Sequence, residues 1–151
     1  MDRQLATSMV KSPYIADADM DLNDALDYMR ECNIRHLPIV ESDKLVGIVS
    51  ERDLKEALAL DKSEDLSLRD IMKSEVYTVS AYDSLKDVVR DMAESKYGSA
   101  IVVNRKREVQ GIFTTIDALR ILADLLDKEQ LNELVSVEDY IEATRPEGPR
   151  A

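Results

Sequence analysis

Cysteine is nearly absent from this chain: Cys32 stands alone. No internal disulfide can brace the fold, and the place of Cys32 in a helical pattern reads as a small core or boundary residue, not a nucleophile. Long apolar runs are missing as well. None approaches the ~18 residues of a membrane span, and the N-terminus has neither the basic stretch nor the apolar block of a signal peptide. The expected location is cytoplasmic. Positive charge is in deficit, with 20 Lys and Arg against 31 Asp and Glu and a net charge of −11. A field of that sign repels phosphate backbones and anionic lipid, so neither nucleic acid nor a membrane is an expected partner. Histidine occurs once, at His36. With no second His and no Cys cluster, a zinc site is not expected. The sequence has no paired His–nucleophile arrangement and no Walker-type loop, which argues against an enzyme. Asp17-x-Asp19-x-Asp21 looks metal-like but fails the calcium-loop template, with Leu22 where Gly belongs and Tyr28 where Glu belongs. It reads as a solvated turn and helix start.

What the chain does have is a core and a repeat. Hydrophobic residues make up 44% of 151, enough for one compact unit or two small ones sharing a core, and charged residues reach 34%, which fits a well-hydrated surface. The segment Gly47-Ile48-Val49-Ser50-Glu51-Arg52-Asp53-Leu54 returns as Gly111-Ile112-Phe113-Thr114-Thr115-Ile116-Asp117-Ala118. Met72 follows Met9, and Leu85 follows Leu22, by the same 63 residues (72 − 9 and 85 − 22). Tyr97 to Val103 matches Ile34 to Val40 at that offset, and the second hairpin turn, Asn104 to Glu108, is one residue longer. In the first half, Lys11 to Ile15 reads as a short strand. Asp21 caps a helix whose stripe is Leu22, Ala25, Leu26 and Met29, and Asn33 ends it. Ile34 to Val40 reads as a buried strand in which Pro38 suggests an irregular or edge position. Leu45 to Val49 closes a hairpin, and a helix runs from Glu51 to about Leu60. Lys62 to Leu68 is the polar linker. The pattern then restarts with a capping box at Ser84 to Asp87 and a stripe of Leu85, Val88, Val89 and Met92. The last helix is expected to reach about Leu134, with more Leu and Ile than a small core needs, which hints at an oligomer surface. Ser136 is expected to cap a short helix through Ala143 ahead of a frayed tail.

These ordered segments, occurring twice between about residues 9 and 124, resemble the cystathionine-β-synthase (CBS) domain family, and more closely a two-domain CBS pair, or Bateman module, standing alone. The resemblance implies an α+β fold of two stacked β-α-β-β-α repeats related by a pseudo-two-fold axis. The expected parts are residues 1–66, 67–127 and a C-terminal helix and tail over 128–151. It further implies a non-catalytic regulatory module that binds adenosine nucleotides (AMP, ADP or ATP), associates into a homodimer forming a disc of four CBS domains, and acts on an unidentified regulated protein. No resident cofactor is expected, and Mg2+ only alongside ATP.

A nucleotide site needs an apolar slot for the base, acceptors for the ribose diol and donors for phosphate. Ser50 and Thr114 end a strand where a helix begins, so free N–H groups and a hydroxyl meet there. Asp53 and Asp117, one turn in, can accept ribose hydroxyls. Gly47 and Gly111 allow close backbone approach. Ile34, Leu37, Tyr97, Ile48, Ile112 and the small Ala100 can flank a base. The resemblance implies that each site mixes the halves: Thr114 and Asp117 with Ile34, Arg35 and His36; Ser50 and Asp53 with Tyr97, Gly98 and Ser99. Arg35 and His36 are two potential phosphate donors, whereas Gly98 and Ser99 offer no cation, so the Asp117 site is expected to hold phosphorylated ligand more tightly. The same Ser/Thr-x-x-Asp spacing is also a helix capping box. The alternatives are therefore a structural module with decayed sites, or a binder of S-adenosylmethionine or a dinucleotide.

Overall fold

The repeat becomes two matching half-structures in the computed structural model, which describes residues 2–129, 141, 142, 144–146 and 148. Helix α1 (Leu22–Glu31) starts where the Asp21 carboxylate accepts the N–H groups of Asn23 and Asp24, buries Leu22, Ala25, Leu26 and Met29, and is followed by Asn33 at φ 53°. Helix α4 (Leu85–Ser95) repeats this with Ser84 as cap, Leu85, Val88 and Met92 buried, and Lys96 at φ 59°. The equivalence of Asn33 and Lys96 shows that the left-handed turn belongs to the repeat, not to one residue type.

Strands β3 (His36–Glu41) and β4 (Lys44–Ser50) form the first hairpin, with β2 (Ala16–Asp17) parallel to β3. Strands β6 (Ser99–Val103) and β7 (Val109–Thr114) form the second, with β5 (Thr78–Val79) parallel to β6 and β1 (Val10–Lys11) antiparallel to β7. Both hairpins carry a register shift at the matching point, Ile39/Val40 and Val102/Val103. Strand β3 is central in the order β2-β3-β4, so Pro38 does not mark an edge. Its cost is local: Ile101, the counterpart of Pro38, donates its N–H to Tyr77 and pairs with Thr78, whereas β2 pairing begins only at Ile39.

Each sheet takes its outer member from the opposite half. Val10 and Lys11 lie against Ile112 and Gly111, and Lys73 exchanges two backbone hydrogen bonds with Ile48 (2.9 and 3.0 Å). This is why glycine stands at 47 and 111. A β-carbon at Gly47 would lie 2.5 Å from Met72 Sδ, and one at Gly111 2.6 Å from Met9 Sδ. Close approach is confirmed, and the chain itself makes it. The hairpin tips also join, through Leu45 N–H to the Arg107 carbonyl (3.0 Å) and Arg107 Nε to the Leu45 carbonyl (2.9 Å). Leu45 is thereby buried with Ile101 and Ile112 of the other half.

Several boundaries differ from expectation. The short strand or extended entry read over Lys11 to Ile15 is strand only at Lys11; Ser12 to Ile15 connects Val10–Lys11 in one sheet to Ala16–Asp17 in the other. Helix α2 (Glu51–Leu58) stops two residues early. The polar linker leads into a short helix, α3 (Leu68–Ile71), fixed by Leu68 N–H to the Met20 carbonyl, Arg69 N–H to the Ala18 carbonyl, and the Arg69 guanidinium across Glu41 and Asp19. Helix α5 spans Thr115–Lys128. Its expected continuation to Leu134, the cap at Ser136 and the end at Ala143 lie outside the described residues. By internal packing the chain divides into Met1–Ala118, which holds both sheets, and Leu119–Ala151. In the latter, Leu119, Leu122, Leu125 and Leu126 are exposed.

Candidate functional site

The two strand-to-helix turns are the places where backbone donors converge. At the first, Asp53 N–H donates to Ser50 Oγ (3.0 Å) and Ser50 N–H to Asp53 Oδ2 (3.1 Å). At the second, Asp117 N–H donates to Thr114 Oγ1 (3.3 Å), while Thr114 N–H and its hydroxyl both donate to Asp117 Oδ2 (2.8 and 3.0 Å). The boxes at Ser50–Asp53 and Thr114–Asp117 are therefore formed, whereas at the third foreseen box Ser84 Oγ accepts Asp87 N–H (3.4 Å) as a simple cap. In each formed box it is Oδ2 that accepts from the cap residue's N–H. At Asp53 the other oxygen, Oδ1, lies 4.0 Å from Lys73 Nζ. Both carboxylates are half-buried.

The residues just before β3 and β6 close on these turns. Glu51 N–H donates to the Arg35 carbonyl (3.0 Å) and Thr115 N–H to the Gly98 carbonyl (3.1 Å). In the ladders His36 pairs with Ser50, and Ser99 with Thr114. These pairings lie within halves. The halves touch at His36, whose Nε2 would sit 2.9 Å from a β-carbon on Gly98, and at Lys73 beside Asp53. Burial pushes the His36 imidazole below its usual range; the Asp53 carboxylate opposes this, and Arg35 and Lys73 add to it. Arg35 is exposed, Ile34 and Ile48 are half-buried, and Ile112 and Ser99 are buried.

A cleft of about 500 Å³ opens beside the Asp53 turn, lined by Ser74, Glu75, Val76, Tyr77, Thr78, Tyr97 and Arg107. That is within the range of small-molecule sites. Of its lining only Tyr97 was named from the sequence. Tyr77 was within reach, since it repeats Tyr14 at the 63-residue offset (77 − 14). Arg107 was not, because the hairpin-tip pairing brings it in. Lys73, just before the lining begins, supplies a cation near a turn whose own motif residues, Gly98 and Ser99, have none. Tyr77 and Tyr97 stack, with ring centroids 4.6 Å apart and planes at 21°. Tyr77 donates to Asp91 Oδ2 (3.2 Å), and burial with that neighbouring carboxylate pushes its phenol up to about 12.

Two copies of one strand–helix–hairpin–helix unit, with exchanged outer strands and a hydroxyl–carboxylate box at each turn, match a known domain. The CBS domain profile fits residues 3–60 and again 68–124. The chain belongs to the CBS domain family. This CBS pair is similar to the crystal structure of a candidate acetoin utilization protein (AcuB) from Vibrio cholerae, at 31% identity and TM-score 0.76, covering 90% of this chain and 99% of that one. It is also similar to the CBS domain pair of protein MJ0100, solved with 5′-methylthioadenosine and S-adenosyl-L-methionine, at 29% identity and TM-score 0.76, covering 82% and 98%. Among curated sequences, a homoserine O-acetyltransferase of Methanosphaera stadtmanae is 38% identical over 100 residues, which are 66% of this chain and 20% of that one. The chain spans about a fifth of that relative's length. Among the described residues, no helix is long and apolar enough to cross a membrane.

Proposed function

We propose that this CBS pair is a cytoplasmic, non-catalytic regulatory module that binds adenosine nucleotides and passes occupancy to a partner through a change in how its halves or copies pack. The observation that carries the reading is the duplicated turn, Ser50 with Asp53 and Thr114 with Asp117, set beside a ligand-sized cleft. Each turn brings a hydroxyl for phosphate and a carboxylate for a ribose diol to a helix start. Ile48 and Ile112 lie on the strands leading into them. Ile34, Arg35 and His36 serve the Asp117 site, and Tyr97, Gly98 and Ser99 the Asp53 site. Arg35 and His36 favour phosphorylated ligand at the former. Mg2+ enters only with a triphosphate. The exposed leucines of α5 fit association of two copies.

A second reading, S-adenosylmethionine in place of a nucleotide, is favoured by the ligands of the MJ0100 pair. A thermal-shift panel of AMP, ADP, ATP, NAD and S-adenosylmethionine tests both. Concentration-dependent stabilisation ranks the ligands, because only native-state binding raises the melting point. Asp117→Ala is expected to weaken AMP binding more than Asp53→Ala does; equal losses refute the asymmetry. No shift with any ligand leaves a structural module.

A further inference from the structure

The two halves part company around a shared tyrosine. Tyr77 of the second half matches Tyr14 of the first, but Tyr97 and Asp91 stand where the first half has Ile34 and Tyr28, each 63 residues earlier (77 − 14, 97 − 34, 91 − 28). In the first half Tyr14 meets Tyr28 edge-on, with centroids 5.9 Å apart and planes at 84°. In the second half position 91 carries a carboxylate, which accepts the Tyr77 hydroxyl, and the Tyr77 ring lies nearly parallel to Tyr97 instead. Ile34 offers no π face at the corresponding place. One substitution in the repeat, Tyr for Asp between positions 28 and 91, accompanies the change from an edge contact to a stack.

Tyr97 is the more exposed ring of the stack, and Tyr77 is half-buried. Both rings border the 500 Å³ cleft, and Tyr97 is 42% exposed. The rest of the lining is polar or charged at its ends, Ser74, Glu75, Thr78 and Arg107, with Val76 between. That combination, an aromatic wall plus a few hydrogen-bonding groups, suits a flat heteroaromatic ring bearing polar edges. It begins one residue after Lys73, whose ammonium is 4.0 Å from the Asp53 carboxylate.

Resting on the adenosine-binding reading above, we propose that Tyr77 and Tyr97 form a stacking platform for the base at the Asp53 site alone, with Asp91 as its positioning residue. The two sites then rank ligands by different groups. The Asp53 site reads the base through two rings and tolerates an uncharged nucleoside, whereas Ile34 stands at the place in the first half that matches Tyr97.

Calorimetric titration with adenosine and with AMP tests this, in the wild type and in Asp53→Ala and Asp117→Ala backgrounds that isolate each site. Base–aromatic stacking predicts that Tyr97→Ala weakens adenosine binding roughly tenfold or more in the Asp117→Ala background. Tyr97→Phe keeps the ring and is expected to bind within about twofold of the parent. Asp91→Leu is expected to weaken adenosine binding, and Asp91→Asn, which retains an acceptor oxygen, to restore it. The AMP affinity of the Asp53→Ala background should not respond to Tyr97→Ala. The chain has no tryptophan, so Tyr97→Trp supplies a single indole whose emission should change on adding adenosine. The proposal is overturned if Tyr97→Ala leaves adenosine binding unchanged, if both sites weaken together, or if Asp91→Asn behaves like Asp91→Leu. Wild-type protein that binds no adenylate at all overturns the functional reading and this one with it; a failed platform alone leaves wild-type binding intact.

Discussion

Gly47→Ala tests the crossover that holds the halves together. The added β-carbon would lie 2.5 Å from Met72 Sδ, 2.8 Å from Met72 Cγ and 3.0 Å from the Lys73 carbonyl oxygen. The thioether can turn aside. The carbonyl cannot yield freely, because it accepts the Ile48 N–H at 3.0 Å while Lys73 N–H donates back at 2.9 Å. Overpacking of this kind costs about 1–3 kcal/mol, and weakening of the paired backbone bonds adds about 1 kcal/mol. The expected loss of about 2–4 kcal/mol lowers Tm by roughly 5–15 °C for a chain of this length. Urea unfolding followed by circular dichroism at pH 7.5 measures it. Met72→Ala clears the sulfur but leaves the carbonyl, so the double variant should be less destabilised than the two single losses combined by about 1 kcal/mol. A Gly47→Ala protein within about 0.5 kcal/mol of wild type, or strict additivity with Met72→Ala, refutes the reasoning.

Two other expectations follow from local geometry. His36 is the only histidine, and its imidazole is held below the ordinary histidine range by burial. The unfolded chain therefore binds a proton that the folded one resists. The neutral His36 contribution is fully present above the unfolded pKa of about 6.5 and declines as pH falls toward the lower folded value. Unfolding midpoints measured from pH 7.5 to 5.5 should fall, and His36→Gln should flatten that part of the profile; an unchanged slope counts against the assignment. Lys96 sits at φ 59° after α4, a conformation that costs a residue with a β-carbon about 1 kcal/mol, so Lys96→Gly should raise stability by up to about that amount. Asn33→Gly, at the matching φ 53°, should gain less because asparagine tolerates the left-handed region. Equal gains in urea unfolding would contradict the argument.

Much of the fold was legible because it is written twice. The stripes of α1 and α4, the hairpins, and the boxes at Ser50–Asp53 and Thr114–Asp117 all depend on neighbours within a few residues, and spacing records such contacts directly. The edge alternative at Pro38 failed for the converse reason: whether a strand is central depends on which strand lies beside it, and β2 comes from 23 residues upstream (39 − 16 and 40 − 17) only after the chain has folded back. That Lys11 to Ile15 passes from one sheet to the other has the same origin. The short helix α3 was hidden because four residues carry too little periodicity, and tertiary bonds from Leu68 and Arg69 hold it in place.

The sequence by itself determined the duplicated α+β unit, its family, and the pair of hydroxyl–carboxylate turns, since each is local or repeated at a constant offset. Tertiary structure alone decided that β1 and the bridging Lys73 cross to the opposite sheets, that Gly47 and Gly111 make room for Met72 and Met9, that Lys73 reaches Asp53, and that Arg107 joins the hairpin tips. It also decided that Tyr77 stacks where Tyr14 meets an edge. Those outcomes depend on contacts between residues far apart in the chain, and one-dimensional spacing carries no record of which distant side chain arrives.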